Sequence, residues 1–311
     1  MTHPKYSIVI PVYRSGKTLM ELSERIIRVF DETIQAPFEL ILVDDASPDN
    51  SWEVMREIRS RDSRVKILQL ARNFGQHSAL MCGFNQVQGD YVVTLDDDLQ
   101  HPPEEIPKLI AAFEAHPDTD VVIGAYETKR HSWVRNLGTR GMDWVGIRIL
   151  GKKPGLQFTS FRLMRGLIVR QIVRVKAEKP RVGQLVLAMT HRIINTPVQH
   201  DARKYGRSGY TFPRLVKDFI SNILNNSAIP LKLVSYLGFF SSALSFLLAL
   251  YYLYRYFFIG ISIAGWTTLV LLTLFYFGVL LFSVGIIGEY LIRILKESKR
   301  MPQFVIRDKQ L

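Results

Sequence analysis

Two long stretches near the C-terminus carry no charged residue, and they constrain the fold more than any other feature of the chain. No Asp, Glu, Lys or Arg occurs in residues 233–254 or in residues 256–288. A helix of about 20 apolar residues is long enough to cross a bilayer. We therefore predict two transmembrane helices, at about 233–255 and 265–290. A pair of buried helices in a soluble domain is the alternative, but core helices rarely lack charge for so long.

Basic residues that contribute to the net charge of +12 cluster beside these stretches. Lys217 and Lys232 precede the first stretch, residues 293–311 are rich in Lys and Arg, and the loop at 258–268 is uncharged. We therefore expect a multi-pass protein of the inner (plasma) membrane whose N-terminal domain and tail are cytoplasmic. Anionic headgroups and substrates explain this charge better than nucleic acid does. The one cysteine, Cys82, excludes an internal disulfide.

Apolar runs alternate with segments of helical periodicity along the first part of the chain. Strands are predicted at 6–12, 38–43, 65–70, 90–95 and 120–125. Continuous apolar strands separated by amphipathic helices are typical of an α/β domain with a mostly parallel sheet, which binds ligands at the carboxyl ends of its strands. We place this Rossmann-like domain at 1–210, an interfacial amphipathic helix at 211–230, the two spans within 231–292 and a basic tail at 293–311. A soluble amphipathic helix is the alternative for the segment 211–230.

Aspartates end two of the predicted strands. Asp44 and Asp45 follow the second strand, and the sequence VVTLDDDLQHPP puts Asp96, Asp97 and Asp98 after the fourth. Side chains alternate along an extended segment, so Asp96 and Asp98 are expected to point one way and Asp97 the other. Two carboxylates on one side, completed by the oxygens of a diphosphate, suit Mg²⁺ or Mn²⁺. A solvated acidic turn is the alternative that the residues alone leave open.

Four motifs, in their order and spacing, resemble the inverting GT-A glycosyltransferases of family 2. They are VIPVYRSGKTL, LVDDASPDNS, ARNFGQHSALMCGF and TLDDDLQHPPEEIP. More narrowly, the chain is similar to the polyprenyl-phosphate glycosyltransferases, including the dolichyl-phosphate mannose synthases, the bactoprenol glucosyltransferases and the undecaprenyl-phosphate aminoarabinose transferases. The resemblance extends through TSFRLMRG and HDARKYGRSGY to the closing GIIGEYLIRILKESKRMPQFVI. It implies a GT-A domain, a Mg²⁺ or Mn²⁺ cofactor, and a homo-oligomer such as a tetramer.

The resemblance also implies roles for individual residues. Asp98 is the expected principal metal ligand, joined by Asp96 and Gln100, and the expected catalytic residues are Asp96, Asp98 and Arg162. The expected contacts to the nucleotide-sugar are Pro11, Val12, Tyr13, Asp44, Arg72, Asn73, Asp96 and Asp97. The expected contacts to the acceptor phosphate are Arg162, Arg203, Lys204, Arg207 and Ser208. Arginine suits this task because its paired N–H donors match phosphate oxygens.

Two positions depart from the family pattern. Relatives carry an acid near Arg14, where this chain reads YRS, so a carboxylate contact to the nucleotide is missing from that turn. Relatives also have a lysine where the phosphate-binding segment has Gly209, and a basic neighbour is the candidate replacement. His77 and His101 lie beside the motifs, and we interpret both as structural or surface histidines rather than as bases.

The activity that the resemblance implies is inverting transfer of one sugar from a nucleotide-sugar, expected to be a UDP-sugar, to a polyprenyl phosphate, expected to be undecaprenyl phosphate. The product would be a lipid-linked monosaccharide for cell-envelope glycan or lipopolysaccharide modification. Because an ionised acceptor phosphate attacks without losing a proton, no general base is required. A processive polysaccharide synthase is one alternative, although the chain has no QxxRW pattern. A non-catalytic membrane sensor of nucleotide-sugars is another.

Overall fold

Most of the N-terminal domain is described in the computed structural model of the protein. The described residues are 3–126, 155–176, 180–201, 265–298 and 302–311, with isolated residues between 234 and 258. The chain divides into two compact units, which are Met1–Gly209 with Arg300–Leu311, and Tyr210–Lys299.

A single eight-stranded sheet organises the described part of the first unit. Its strands are β1 (Tyr6–Val12), β2 (Phe38–Asp44), β3 (Val65–Leu70), β4 (Tyr91–Thr94), β5 (Val121–Ala125), β6 (Arg162–Arg165), β7 (Ile193–Pro197) and β8 (Ile306–Gln310). Their order is β7-β5-β6-β4-β1-β2-β3-β8. The central strands β4, β1, β2 and β3 pair in parallel, while β6 and β8 run antiparallel to their neighbours. The predicted mostly parallel α/β sheet is confirmed.

Helices cover both faces of this sheet. They are α1 (Leu19–Arg28, continued by a π-helical turn at Val29–Ile34), α2 (Ser51–Arg61), α3 (Gln76–Phe84), α4 (Ile106–Ala115), α5 (Gly166–Arg174) and α6 (Val182–Met189). Alternation along β1 separates two cores, because Ile8 and Ile10 pack with α1, α2 and α4, whereas Val9 packs with α3, α5 and α6. Helix α3 lies so close to β1 that a Cβ at Gly83 would come within 2.4 Å of Val9. This contact holds the C-terminal end of α3 against β1.

The C-terminal tail contributes a strand that the sequence analysis did not predict. Strand β8 pairs antiparallel with β3, and the N–H of Ala71 donates to the carbonyl of Val305 at 2.8 Å just beyond the pairing. Ile306 packs against the apolar core, while the three charged residues that follow it are exposed. Charged side chains on an edge strand discourage pairing with a further strand.

A long apolar helix, α7 (Trp266–Ser298), lies in the second unit. Its window Phe275–Ile292 has a mean hydropathy of 1.9, and none of that window is buried within the protein. By length and composition, this stretch can cross a bilayer. The predicted span at about 233–255 falls where isolated residues alone are described, and the predicted interfacial helix at 211–230 lies outside the described residues.

Candidate active site

A cleft of about 280 Å³ opens at the carboxyl edge of the sheet. Pro11, Val12 and Tyr13 from the end of β1, and the three aspartates that follow β4, contribute to its lining. Strands β1 and β4 are neighbours in the sheet, with β2 on the other side of β1. The strand order therefore reverses between β1 and β4, and α/β sheets bind ligands in the crevice at such a point. The cleft lies at the sheet edge where ligand binding was predicted.

Asp96 and Asp98 both face the cleft, but they contact different parts of the chain. Asp96 accepts hydrogen bonds from the side-chain amide of Gln76, at the start of α3, and from the hydroxyl of Ser160, just before β6. Asp98 accepts a hydrogen bond on Oδ1 from the backbone N–H of Gln100 at 3.1 Å. These contacts connect the turn after β4 to two neighbouring segments of the site.

Asp97 has a different set of partners. The backbone N–H of Tyr13 donates to its Oδ2 at 2.9 Å, and the hydroxyl of Ser15 donates to the same oxygen. Burial raises the pKa of Asp97 to about 7, although these two donors act in the opposite direction. The middle aspartate thus bonds to the turn after β1, but it lines the same cleft as Asp96 and Asp98. Strand β4 ends at Thr94, and Asp97 and Asp98 lie in the turn beyond it, where the predicted alternation of an extended strand does not apply.

Three of the turns beside the cleft contain a non-glycine residue with a left-handed backbone. Arg14 after β1 has φ 58°, Ala46 after β2 has φ 52°, and Leu99 after β4 has φ 61°. This region is rarely occupied by residues other than glycine, and such strain persists only where surrounding contacts hold it. Leu99 is held by burial of its side chain in the core, where it is 2% exposed. Packing thereby fixes the turn that carries Asp98.

The two aspartates after β2 take different positions. Asp44 is fully buried and does not line the cleft: its Oδ1 accepts from the N–H of Ser47 at 2.9 Å and its Oδ2 from Nε2 of Gln69 at 3.1 Å. Asp45 does line the cleft, and it accepts from the backbone N–H groups of Phe74 at 2.7 Å and Gly75 at 2.8 Å. Burial raises the pKa of Asp45, while both backbone donors act to lower it.

Asp45 therefore holds the loop after β3 in place at the cleft. The sequence did not predict this role. The adjacent aspartates in LVDDAS marked the right strand end, but their spacing did not say which one faces a ligand. Gln76 was also missed, although it lies in the quoted motif ARNFGQHSALMCGF. The role predicted for Asp44 in base recognition stays a prediction.

Arg162 begins β6 at the same edge of the sheet, because β6 runs antiparallel to β4 and pairs Arg162 with Thr94. Its side chain is buried, with Nε donating to the carbonyl of Thr159. Its Nη1 is buried without a hydrogen-bond partner among the described residues. Burial lowers the pKa of Arg162 to about 10, against the opposing effect of the Asp96 charge. Arg162 does not line the cleft, so the structure places its charge near Asp96 without placing it on the cleft surface.

Only some of the remaining predicted site residues line the cleft. Asn73 lines the cleft, whereas Arg72 is exposed and lies over the ring of Phe74 at 4.7 Å. Gln100 does not line the cleft, and its carbonyl accepts a hydrogen bond from the N–H of Asp201 at 3.0 Å. The predicted phosphate contacts Arg203, Lys204, Arg207 and Ser208, together with Gly209, lie outside the described residues.

His101 packs in an aromatic cluster behind the turn after β4. It is 3% exposed, its Nε2 contacts the hydroxyl of Tyr126, and its ring centroid lies 5.4 Å from that of Phe161. Burial lowers the pKa of His101 to about 4, so the ring is neutral near pH 7. The environment agrees with a structural histidine. His77 lies on the exposed side of the start of α3.

The carboxylates of the cleft fit a divalent cation that takes part of its coordination from a ligand. Within the described ranges, no group of three or more His, Cys, Asp or Glu side chains is arranged to hold a metal ion. Asp96 and Asp98 nevertheless place two hard oxygen donors on one cleft. Mg²⁺ is commonly bound by one or two carboxylates, with water and substrate phosphates completing the shell.

Sequence comparisons relate nearly the whole chain to glycosyltransferases. The model of the family described as "Glycosyl transferase family 2" matches residues 7–171. The chain is 35% identical over 306 residues to the undecaprenyl-phosphate 4-deoxy-4-formamido-L-arabinose transferase of Proteus mirabilis, which covers 97% of this chain and 93% of that protein. It is 32% identical over 309 residues to the uncharacterized glycosyltransferase YkcC of Bacillus subtilis, which covers 98% of this chain and 94% of that protein.

A solved structure with a similar fold is the glucosyl-3-phosphoglycerate synthase of Mycobacterium tuberculosis. Its crystal structure in complex with Mn²⁺, uridine diphosphate and glucosyl-3-phosphoglycerate has a TM-score of 0.50 and 17% sequence identity. The match covers 72% of this chain and 80% of that chain. The similarity establishes a shared fold.

Proposed function

The chain belongs to glycosyl transferase family 2, and from this premise we propose that it transfers one sugar from a UDP-sugar to undecaprenyl phosphate. Transfer would invert the anomeric carbon and yield a lipid-linked monosaccharide for cell-envelope glycan or lipopolysaccharide modification. The observation that carries the proposal is that Asp96 and Asp98 line one cleft, with Arg162 buried at the same edge of the sheet. The Proteus mirabilis relative, named as an undecaprenyl-phosphate transferase, supports the choice of acceptor.

The donor nucleotide would occupy the wall formed by the end of β1 and the loop after β3. Tyr13 is 42% exposed and lines the cleft, so its ring offers a surface on which a base can stack. Asn73 offers an amide to the ribose or the base, and Asp45 holds the following backbone in place. Pro11 and Val12 would exclude water from one side of the nucleotide.

Asp98, with Asp96, would hold a divalent cation, Mg²⁺ or Mn²⁺. Gln100 does not line the cleft, so it would act as an orienting group, through its backbone N–H on Asp98, rather than as a further ligand. The M. tuberculosis enzyme that shares the fold was crystallised with Mn²⁺ and uridine diphosphate, which supports a cation at the diphosphate. When bound, such a cation supplies Lewis-acid stabilisation of the departing nucleoside diphosphate. Asp96 is held by Gln76 and Ser160, so its carboxylate is oriented before the donor binds.

The acceptor phosphate would attack the anomeric carbon directly. A phosphate monoester is ionised near pH 7, so the protein has to align the reactants and offset the repulsion between two anions. The buried guanidinium of Arg162 would offset part of this repulsion through its positive charge near Asp96. Arg203, Lys204, Arg207 and Ser208 would add charge and donors from the basic sequence HDARKYGRSGY.

A membrane arrangement completes the proposal. The isoprenoid tail stays in the bilayer because each buried CH₂ contributes roughly 0.8 kcal/mol. Helix α7 would anchor the enzyme beside this acceptor, together with the predicted first span at about 233–255 and the interfacial helix at 211–230. The catalytic domain and both termini would be cytoplasmic, and the chain would act as a homo-oligomer, such as a tetramer.

The proposal is tested with the purified full-length protein in detergent. It is incubated with Mn²⁺, undecaprenyl phosphate and, in separate reactions, radiolabelled UDP- and GDP-sugars. We expect a labelled monoglycosyl lipid that forms with a UDP-sugar and disappears when EDTA is added. A long labelled polymer would instead support a processive synthase. Tight binding of donors without transfer from any of them would support a sensor and contradict the proposed transferase.

A further inference from the structure

Asp97, the middle residue of the DDD sequence, joins the turn after β1 to the end of β4. Its Oδ2 accepts hydrogen bonds from the N–H of Tyr13 and from the hydroxyl of Ser15, and its carbonyl oxygen accepts one from Oγ1 of Thr18 at 2.7 Å. The three donors precede Asp97 by 84, 82 and 79 residues. These contacts are therefore tertiary, and they connect two strands that end at the same cleft.

Side-chain oxygens accept hydrogen bonds from successive backbone N–H groups of the turn after β1 and hold it in place. The N–H of Tyr13 bonds to Asp97, that of Arg14 to Oγ of Ser47 at 3.1 Å, and that of Ser15 to Oγ of Ser51 at 3.0 Å. Arg14, in the centre, has the left-handed φ of 58°. Ser47 and Ser51 each accept one of these bonds on a hydroxyl oxygen, and Oδ2 of Asp49 accepts from the next N–H, that of Gly16, at 3.3 Å. Among these acceptors, Asp97 also accepts a second hydrogen bond from the turn, donated by the hydroxyl of Ser15.

The turn that Asp97 contacts has no acid of its own. Residues 13–18 read YRSGKT, whereas the family resemblance leads us to expect an acid near Arg14. The side chain of Asp97 enters this turn from the other wall of the cleft and lines the cleft itself. A carboxylate is thus present at the turn, although it is supplied by a different strand.

We infer that Asp97 replaces the missing acid of the turn after β1 and is a positioning residue that holds Tyr13 against the donor nucleotide. This inference rests on the proposed function, since it assigns a task within the donor site. Tyr13 combines an exposed ring on the cleft with a backbone N–H bonded to Asp97. The consecutive aspartates then divide their tasks, with Asp96 and Asp98 available to the cation and Asp97 committed to the turn.

Three variants of the full-length protein test this assignment. Asp97→Ala removes the carboxylate, and Asp97→Asn keeps an acceptor without the charge. The double variant Ser15→Glu/Asp97→Ala returns a carboxylate to the turn itself, in the space vacated by Asp97. Asp118→Ala changes an exposed aspartate in the turn between α4 and β5, and Ser60→Ala changes an exposed serine of α2 that bonds to the carbonyl of Glu57. These two variants are the matched controls.

The kinetic readout separates donor positioning from a general loss of fold. For Asp97→Ala we expect the KM for the UDP-sugar to rise about tenfold, because the variant loses both hydrogen bonds that the side chain accepts from the turn, while the KM for undecaprenyl phosphate stays unchanged. Asp97→Asn should show a smaller rise in the same constant. The double variant should restore the donor KM to within about threefold of wild type, and the controls should match wild type.

A second readout does not depend on turnover. Hydrogen–deuterium exchange of the peptide that spans residues 13–18 should be faster in Asp97→Ala than in wild type, and slow again in the double variant. Unchanged exchange in Asp97→Ala, or an unchanged donor KM, would overturn the inference. A wild-type protein that transfers no sugar would instead overturn the proposed function and the donor part of the inference, while the exchange data would still decide whether Asp97 holds the turn.

Discussion

The acids after β2 and those after β4 look alike in sequence but occupy different environments. Asp44 and Asp45 each accept two hydrogen bonds, three of these four donors being backbone N–H groups of adjoining loops. Asp96 instead accepts from two side chains, and it lies with Asp98 on the cleft. The comparison indicates that the first pair shapes the loops of the site, whereas Asp96 and Asp98 lie on the cleft where the proposed cation and diphosphate would bind.

The variant Asp98→Asn tests most strongly whether the cation binds at the aspartates after β4. We expect kcat for metal-dependent transfer to fall by about 10³, since one essential electrostatic contact in an active site contributes 10²- to 10³-fold or more. The melting temperature should stay close to that of wild type, because the substitution is isosteric. The matched control is Asp118→Asn, which changes an exposed aspartate away from the cleft. Near-normal activity of Asp98→Asn would show that the cation lies elsewhere.

Arg162→Met separates activity from stability at the same sheet edge. We expect kcat/KM for undecaprenyl phosphate to fall by about 10²-fold, because a charge-assisted contact contributes roughly 1.5–3 kcal/mol. The free energy of unfolding should be unchanged or higher, because Arg162 is a buried cation whose Nη1 has no partner among the described residues. Urea denaturation measures the free energy of unfolding, and kinetics with varied undecaprenyl phosphate measure the loss of activity. A large loss of stability with normal acceptor kinetics would make Arg162 a structural residue.

Asp44→Ala and Asp45→Ala test whether the aspartates after β2 shape the loops of the site. Asp44→Ala should lower the free energy of unfolding by about 1–3 kcal/mol, because it leaves the half-buried donors of Ser47 and Gln69 without their acceptor. Asp45→Ala should raise the donor KM by about tenfold through release of the Phe74–Gly75 backbone. Denaturation curves and donor kinetics measure both effects. A large loss of kcat in Asp44→Ala with unchanged stability would contradict a structural role for Asp44.

The smallest expected effect concerns Cys82 in α3. It is fully buried, and burial raises the pKa of its thiol to about 12, so the reactive thiolate is scarce at neutral pH. Iodoacetamide should label the folded protein negligibly at pH 7.5 and label it fully in guanidinium chloride, as measured by intact mass. Rapid labelling of the folded protein would show that α3 does not pack stably on the sheet.

The sequence alone predicted the central strands of the sheet and the edge at which the cleft opens. Apolar runs predicted β1 at 6–12 and β3 at 65–70 with the bounds that the structure has, because a strand buried on both faces has a clear composition. The tail strand at Ile306–Gln310 was missed because its exposed charged residues read as a basic tail. An edge strand buries few side chains, so its sequence carries little of the apolar signal that identifies a strand.

The site was predictable in its residue types but not in its pairings. Strand alternation predicted opposite directions for Asp97 and its two neighbours, but all three line the cleft beyond the end of β4. It also gave no sign that Asp97 bonds to Tyr13 and Ser15. Such contacts join strand ends more than 80 residues apart in the chain. They depend on the sheet order, in which β4 lies next to β1, and no local pattern specifies that neighbour.

The most direct test of the central claim is the binding of Mn²⁺ to the purified protein, followed by electron paramagnetic resonance with and without UDP. Two carboxylates that need a diphosphate to complete a cation site predict weak binding alone and at least tenfold tighter binding with UDP. Asp98→Asn should abolish the gain from UDP, whereas Asp118→Asn should retain it. Equal Mn²⁺ affinity with and without UDP, or a full gain in Asp98→Asn, would contradict a joint cation and diphosphate site after β4.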